Sequence, residues 1–145
     1  MGKSILKNKI KGMFCKKKIE KSDLPVVLLV DDEEVNRKII KEGLKDQYTI
    51  IEADNGINAL EILSGNQNIK AVITDLQMPE MNGIELIKQI RKREAYKTLP
   101  IIANTQYGET KQEGLLYEIG VNEFVYKPTA PHIVAFKLRN ALRDL

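Results

Sequence analysis

Five short apolar runs, each stopping at a polar residue and each followed by apolar residues at helical spacing, constrain this chain more than any other feature. The first is Val26-Val27-Leu28-Leu29-Val30, which ends at Asp31-Asp32. An unbroken aliphatic run of this length, without alternation, reads as a strand buried on both faces, as in a parallel sheet. Further strands are expected over residues 48–53, 71–74, 100–103 and 124–126, ending at Ala53-Asp54, Asp75, Thr105 and Lys127. Between them, Val35, Ile39, Ile40 and Leu44 predict a helix over 34–45, and Ile84, Leu86, Ile87 and Ile90 another over 83–93. Helices are also expected over 57–63, punctuated by Gly56 and Gly65, over 109–119, weakened by Gly114, and over 133–142. Strand and helix thus alternate five times. Such alternation implies an α/β fold, a parallel sheet with helices on both faces and right-handed crossovers. In open sheets of this kind ligands bind at the carboxyl ends of the strands, near a switch in strand order.

Charge divides the chain in two. Residues 1–24 carry eight lysines against Glu20 and Asp23, whereas residues 25–145 carry 15 basic and 18 acidic side chains. A basic arm is joined to a mildly acidic body, which lacks the basic stripe of a nucleic-acid binder. No apolar run approaches the ~18 residues of a membrane span, and lysines interrupt the start where a secretory signal would need an apolar stretch. The single cysteine, Cys15, excludes an internal disulfide framework and a Cys-rich zinc site, and suits a reducing cytoplasm. The single histidine, His132, excludes a multi-histidine metal site. Oxygen-only metal sites stay open.

The strand ends supply such a site. Asp31, Asp32 and Asp75 would converge on one edge, where unpaired carboxylates repel one another and need a cation. Oxygen-only ligation fits Mg²⁺. Lys127 adds a positive charge and Thr105 a hydroxyl. Together these groups suit the holding of a phosphoryl group, with one aspartate as the acceptor. Each has a plainer reading by itself. Acidic residues after a strand often only start a helix, Asp75 ahead of Pro79 suits a turn, Thr105 a cap, and Lys127 a solvated loop. Their joint placement at the ends of strands one, three, four and five is what favours a site.

The stretch Asp75-Leu-Gln-Met-Pro-Glu-Met-Asn-Gly83, the acidic pair after Val30, Thr105 and Lys127-Pro128 together resemble the receiver domain of bacterial two-component response regulators. The resemblance covers residues 25–145. It implies a flavodoxin-like, doubly wound sheet of five strands in the order 2-1-3-4-5 with five helices. It implies Asp75 as phosphoacceptor, Mg²⁺ held by Asp31, Asp32, Asp75 and the backbone carbonyl of Gln77, Lys127 paired with the phosphoryl group, and Thr105 and Phe124 as the switch pair. A cis Lys127-Pro128 bond is expected, at modest cost before proline. The implied partners are a histidine kinase or histidine phosphotransfer protein and a downstream protein target. The chain would be a cytoplasmic switch rather than an enzyme, promoting only its own phosphorylation and dephosphorylation. The altered surface would involve the helix 109–119 and strand five.

Three positions depart from the family pattern. Gln106 stands where a small residue is usual and would crowd the route to Asp75. Gln77 places a second long amide near the site. Thr129 replaces an apolar residue after Lys127-Pro128 and would loosen the loop into the last helix. With three residues beyond the last expected helix, the body reads as a stand-alone receiver; a receiver excised from a hybrid histidine kinase is the alternative. An Mg²⁺-dependent aspartate-nucleophile phosphatase needs the same groups, but also a capping insertion that the body lacks. A receiver that only binds partners is disfavoured, because the full set of reactive groups is present. The arm, residues 1–24, has two readings. One is a solvated, disordered segment. The other is a membrane-surface contact in which Ile5, Leu6, Ile10, Met13 and Phe14 share one face.

Overall fold

β1 (Val26–Val30) is apolar throughout because both of its faces are covered. Val27 and Leu29 join one hydrophobic cluster, Leu28 and Val30 the other. The computed structural model describes residues 20–65, 68–106 and 113–143. The arm's residues 1–19, with Cys15, and residues 109–112 of the fourth expected helix lie outside the described residues.

The remaining elements follow in the expected alternation: α1 (Glu34–Leu44), β2 (Thr49–Ala53), α2 (Gly56–Gly65), β3 (Ile69–Asp75), α3 (Gly83–Arg91), β4 (Ile101–Gln106), α4 (Glu113–Ile119), β5 (Glu123–Lys127) and α5 (Pro131–Arg143). Short 3₁₀ turns occupy Lys21–Asp23 and Glu94–Tyr96. All neighbouring strands pair in parallel, in the order β2-β1-β3-β4-β5. The order reverses between β1 and β3, so the crevice at the carboxyl ends of these two strands is the switch point.

One core layer packs α2, α3 and α4 against the sheet through Ala59, Leu63, Leu86, Ile87, Ile90 and Leu116. The opposite layer packs α1 and α5 through Ile40, Leu44, Val134 and Leu138. Each fully buried aliphatic side chain of this kind contributes ~1.5–3 kcal/mol.

The structure differs from the expectation in several places. Gly56 and Gly65 belong to α2 rather than flanking it. β3 and β4 run to Asp75 and Gln106, so Asp75 and Thr105 are strand residues. α5 begins at Pro131, where a missing N–H costs nothing. On α1 only Ile40 and Leu44 are buried, while Val35 and Ile39 are 68% and 48% exposed. With about 100° per residue, Ile39 and Val35 lie about 100° and 140° round the helix from Ile40, off the stripe that faces the sheet.

Candidate functional site

The chain leaves β1 into Asp31, whose N–H still donates to the Ala53 carbonyl at 3.1 Å and so continues the ladder with β2. Its side chain then turns back locally. Asp31 Oδ1 accepts the Glu33 N–H at 2.9 Å, and the Asp31 carbonyl accepts Arg37 Nη1 at 2.7 Å. The helix-start reading of the acidic run therefore holds for this one oxygen. The other oxygen differs: Asp31 is 1% exposed, and its Oδ2 has no hydrogen-bond partner among the described residues. Burial pushes the Asp31 carboxyl above its usual range, the Glu33 N–H pulls the other way, and the negative charge of Asp75 adds to the rise. Asp32 projects from the same turn and is exposed.

Asp75 ends β3, 4% exposed. Its Oδ1 accepts the Gln77 N–H at 3.2 Å, and its Oδ2 accepts Lys127 Nζ at 2.9 Å. Asp31, Asp32 and Asp75 each bring an oxygen within 4.8 Å of the others. Lys127 Nζ stands 4.0 Å from Asp31 Oδ2, so it neutralises the cluster only in part. Burial opposes the Lys127 charge; the hydrogen bond to Asp75 and attraction to Asp75, Asp31 and Glu33 outweigh it, and its pKa is raised. Lys127 is thus a half-buried ion-pair partner rather than a solvated loop charge.

Thr105 is buried near the end of β4, one residue beyond Asn104, which pairs with Asp75 across the ladder. Phe124 pairs with Ala103 and packs against the core edge. Its ring lies 5.2 Å from that of Tyr117 and 5.8 Å from that of Tyr126, and Tyr126 is in turn the register partner of Thr105. The Lys127-Pro128 bond is cis, as expected. The loop that follows is tied rather than loosened: Thr129 Oγ1 donates to Asn104 Oδ1 at 2.8 Å. Gln77, two residues beyond β3, and Gln106, the last residue of β4, are both exposed.

Reading the sequence for reactive groups passes over three supporting residues. Arg37 fixes the Asp31 carbonyl, and no motif signals it. Asn104 anchors Thr129, signalled only by its place beside Thr105. Gly83 closes the loop after Asp75, where its N–H donates to the Leu76 carbonyl at 2.9 Å. A Cβ there would lie 2.1 Å from the Asp75 carbonyl oxygen, so the loop can return to Asp75 only with glycine at this position. Its presence at the end of the quoted loop motif was the available signal.

The site's donors are all oxygen, and they fit a divalent cation such as Mg²⁺. The observation that tests the fit is Asp31 Oδ2, a buried carboxylate oxygen left without a hydrogen bond. A protein would rarely retain such a group without a compensating ligand.

A doubly wound sheet with a carboxylate cluster and an ion-paired lysine at its switch point defines the receiver class of signalling domain. The family model for the response regulator receiver domain matches residues 27–138, and the chain belongs to that family. It is 37% identical over 118 residues to a chemotaxis protein CheY homolog of Campylobacter jejuni, covering 80% of this chain and 91% of that protein. The same identity holds over 118 residues for the chemotaxis protein CheY1 of Helicobacter pylori, covering 80% and 95%. Among solved structures, chemotaxis response regulator CheY4 of Vibrio cholerae superposes with a TM-score of 0.77 at 28% identity, covering 82% of this chain and 99% of that one. These matches favour neither the phosphatase nor the excised-receiver alternative. Among the described residues, no helix is long and apolar enough to cross a membrane.

Proposed function

We propose that the body, residues 25–145, is a phosphorylation-controlled switch whose acceptor is Asp75. The observation that carries this is the cluster of Asp31, Asp32 and Asp75 with Lys127 already hydrogen-bonded to Asp75 Oδ2. In the reaction, an Asp75 carboxylate oxygen attacks the phosphorus of a phosphohistidine on a histidine kinase or histidine phosphotransfer protein. The P–N bond breaks as the P–O bond forms, and the imidazole departs with the bonding pair and takes up a proton. Asp31, Asp32, Asp75 and the Gln77 carbonyl would hold Mg²⁺, which when bound supplies positive charge to the phosphoryl oxygens. Lys127 loses its carboxylate partner when Asp75 becomes an acyl phosphate, and its ammonium then serves the new phosphoryl group. Thr105 donates its hydroxyl to the same group. That movement frees space toward Phe124, whose ring contacts Tyr117 on α4, so the response passes to α4 and β5 and alters binding of a protein target. The chain releases no product other than phosphate from its own acyl phosphate, and so acts as a switch rather than a turnover enzyme.

Incubation of the chain with a small phosphodonor and Mg²⁺ is expected to add one phosphoryl group, read by intact mass, and Asp75→Asn to abolish it. Full labelling of Asp75→Asn would overturn the assignment.

A further inference from the structure

α4 is held to the body differently at its two ends. Of its residues only Leu116 is buried, while Leu115 and Tyr117 are 43% and 54% exposed. Its carboxyl end is clamped. Arg91, the last residue of α3, donates from Nε and Nη2 to the Gly120 carbonyl at 3.1 and 2.7 Å, and from Nη1 to the Tyr96 carbonyl at 2.7 Å. Nη2 also donates to Asn122 Oδ1 at 3.2 Å, and that oxygen accepts the Ile101 N–H at 2.8 Å. Gly120 adopts a φ of 105°, and an added Cβ would lie 2.6 Å from Arg91 Nε, so the close fit of the guanidinium depends on glycine. These contacts lie where β4 and β5 begin, at the opposite end of the sheet from Asp75.

The amino end of α4 is held by the neighbours of the switch pair. Glu113 and Tyr117 stand four residues apart and so share one face of the helix. Tyr126 Oη donates to Glu113 Oε1, and the Tyr117 ring lies against that of Phe124. Phe124 and its register partner Ala103 belong to the layer that α4 covers. Tyr126 and its register partner Thr105 lie two residues further along the same strands, so they face the same way. The Phe124 and Tyr126 rings meet edge to face at 5.8 Å. Tyr126 therefore stands between the hydroxyl that would turn to the phosphoryl group and the first residue of α4.

We propose that the Tyr126–Glu113 hydrogen bond is an autoinhibitory latch that holds the amino end of α4 against β5, and that phosphorylation of Asp75 opens it, so that α4 pivots about its Arg91-clamped carboxyl end. This rests on the switch reading above. When Thr105 is drawn to the phosphoryl group, the Phe124 ring turns into the space it leaves. The Tyr126 ring borders that same space, and a close-packed interior has no room for both. Tyr126 yields, and its hydroxyl leaves Glu113 as Phe124 leaves Tyr117. Both ties on one face of α4 are lost together, while the Arg91 clamp is untouched.

The test is an NMR titration of the full chain with beryllofluoride and Mg²⁺, a non-covalent stand-in for the phosphoryl group. In wild type the Gly114, Leu115 and Leu116 amide resonances should move, while those of Gly120 and Val121 stay in place. Tyr126→Phe removes only the hydroxyl, and before any addition it should shift the same three resonances part of the way along the same lines. Glu113→Ala should do likewise, and Glu113→Gln, which keeps an acceptor oxygen, should shift them less. A hydrogen bond to a carboxylate is worth about tenfold in such an equilibrium. By linkage, Tyr126→Phe should therefore bind beryllofluoride up to about tenfold more tightly. The double variant should gain no more than either single one, because both remove the same bond. Unshifted α4 resonances in Tyr126→Phe, additive gains in the double variant, or unchanged or weaker beryllofluoride binding would overturn the latch. Shifts at Gly120 and Val121 as large as those at Leu115 would overturn the pivot. Wild type that a small phosphodonor fails to label at Asp75 would strike the acceptor assignment on which the latch rests, whereas labelled wild type with α4 unmoved in Tyr126→Phe would strike the latch alone.

Discussion

Asp31→Asn separates the two roles of a buried acid. Asp31 Oδ2 is buried, has no hydrogen bond among the described residues and meets Lys127 only at 4.0 Å. An unsatisfied buried polar group costs ~1–3 kcal/mol, and more when charged. Asparagine keeps the acceptor for the Glu33 N–H, which Asp31 Oδ1 now takes at 2.9 Å, and removes a negative charge from beside Asp75. Its amide brings a donor toward the Lys127 ammonium, which offsets part of the gain. The net expectation is a stabilisation of ~1 kcal/mol, or about 3–5 °C in Tm for a domain of this size. Saturating Mg²⁺ should reverse the order. At about a hundredfold over Kd a ligand stabilises by ~2.7 kcal/mol, and wild type should gain it while Asp31→Asn gains little. Thermal melts in chelator and in Mg²⁺ measure both arms. The pH dependence follows from the sign of the shift. Because the folded pKa is raised, ionised Asp31 destabilises the metal-free fold above that pKa. The advantage of Asp31→Asn should therefore be full there and fade as pH falls toward 3.8, the usual carboxylate value. A variant less stable than wild type in chelator, or equally responsive to Mg²⁺, would refute the reasoning.

Gly83→Ala should destabilise the fold by ~1–3 kcal/mol and slow phosphoryl labelling of Asp75, because the added Cβ would lie 2.1 Å from the Asp75 carbonyl oxygen; denaturant melts and labelling rates check this, and unchanged labelling would show that the loop yields elsewhere. Gln106→Ala should shorten the life of the acyl phosphate by about tenfold or less, ~1.4 kcal/mol in the barrier, since it replaces a long exposed side chain one residue beyond Thr105 with a small one. Decay after donor removal measures it, and slower decay would mean that Gln106 orients the water instead. Thr105→Ala should still accept phosphate while its NMR shifts around Phe124 and Tyr117 shrink; wild-type shifts confined to the Asp75 loop would contradict the coupling.

The unbroken aliphatic run Val26–Val30 fits a strand covered on both sides, and the alternation of short strand-like runs with helical spacing along the chain made the layered parallel architecture legible without coordinates. The polar stops were legible for the same reason. A buried strand admits Asp31, Asp75 or Lys127 only at its end, so the candidate site residues marked themselves. What the linear pattern does not carry is which side of an element meets another. Val35 and Ile39 have the spacing of core residues, yet the path of α1 over the sheet leaves them exposed and buries Ile40 and Leu44. Long-range polar contacts were equally out of reach. Arg91 donates to the carbonyls of Tyr96 and Gly120, Arg37 to that of Asp31, and Thr129 to Asn104 across 25 positions of sequence. The orphaned oxygen of Asp31 and the 2.9 Å bond from Lys127 to Asp75 are of this kind too. Periodicity is a property of one segment and its burial. Hydrogen-bond partners and charge separations arise only when segments distant in the chain are folded to the same edge of the sheet, and there only the tertiary structure decides.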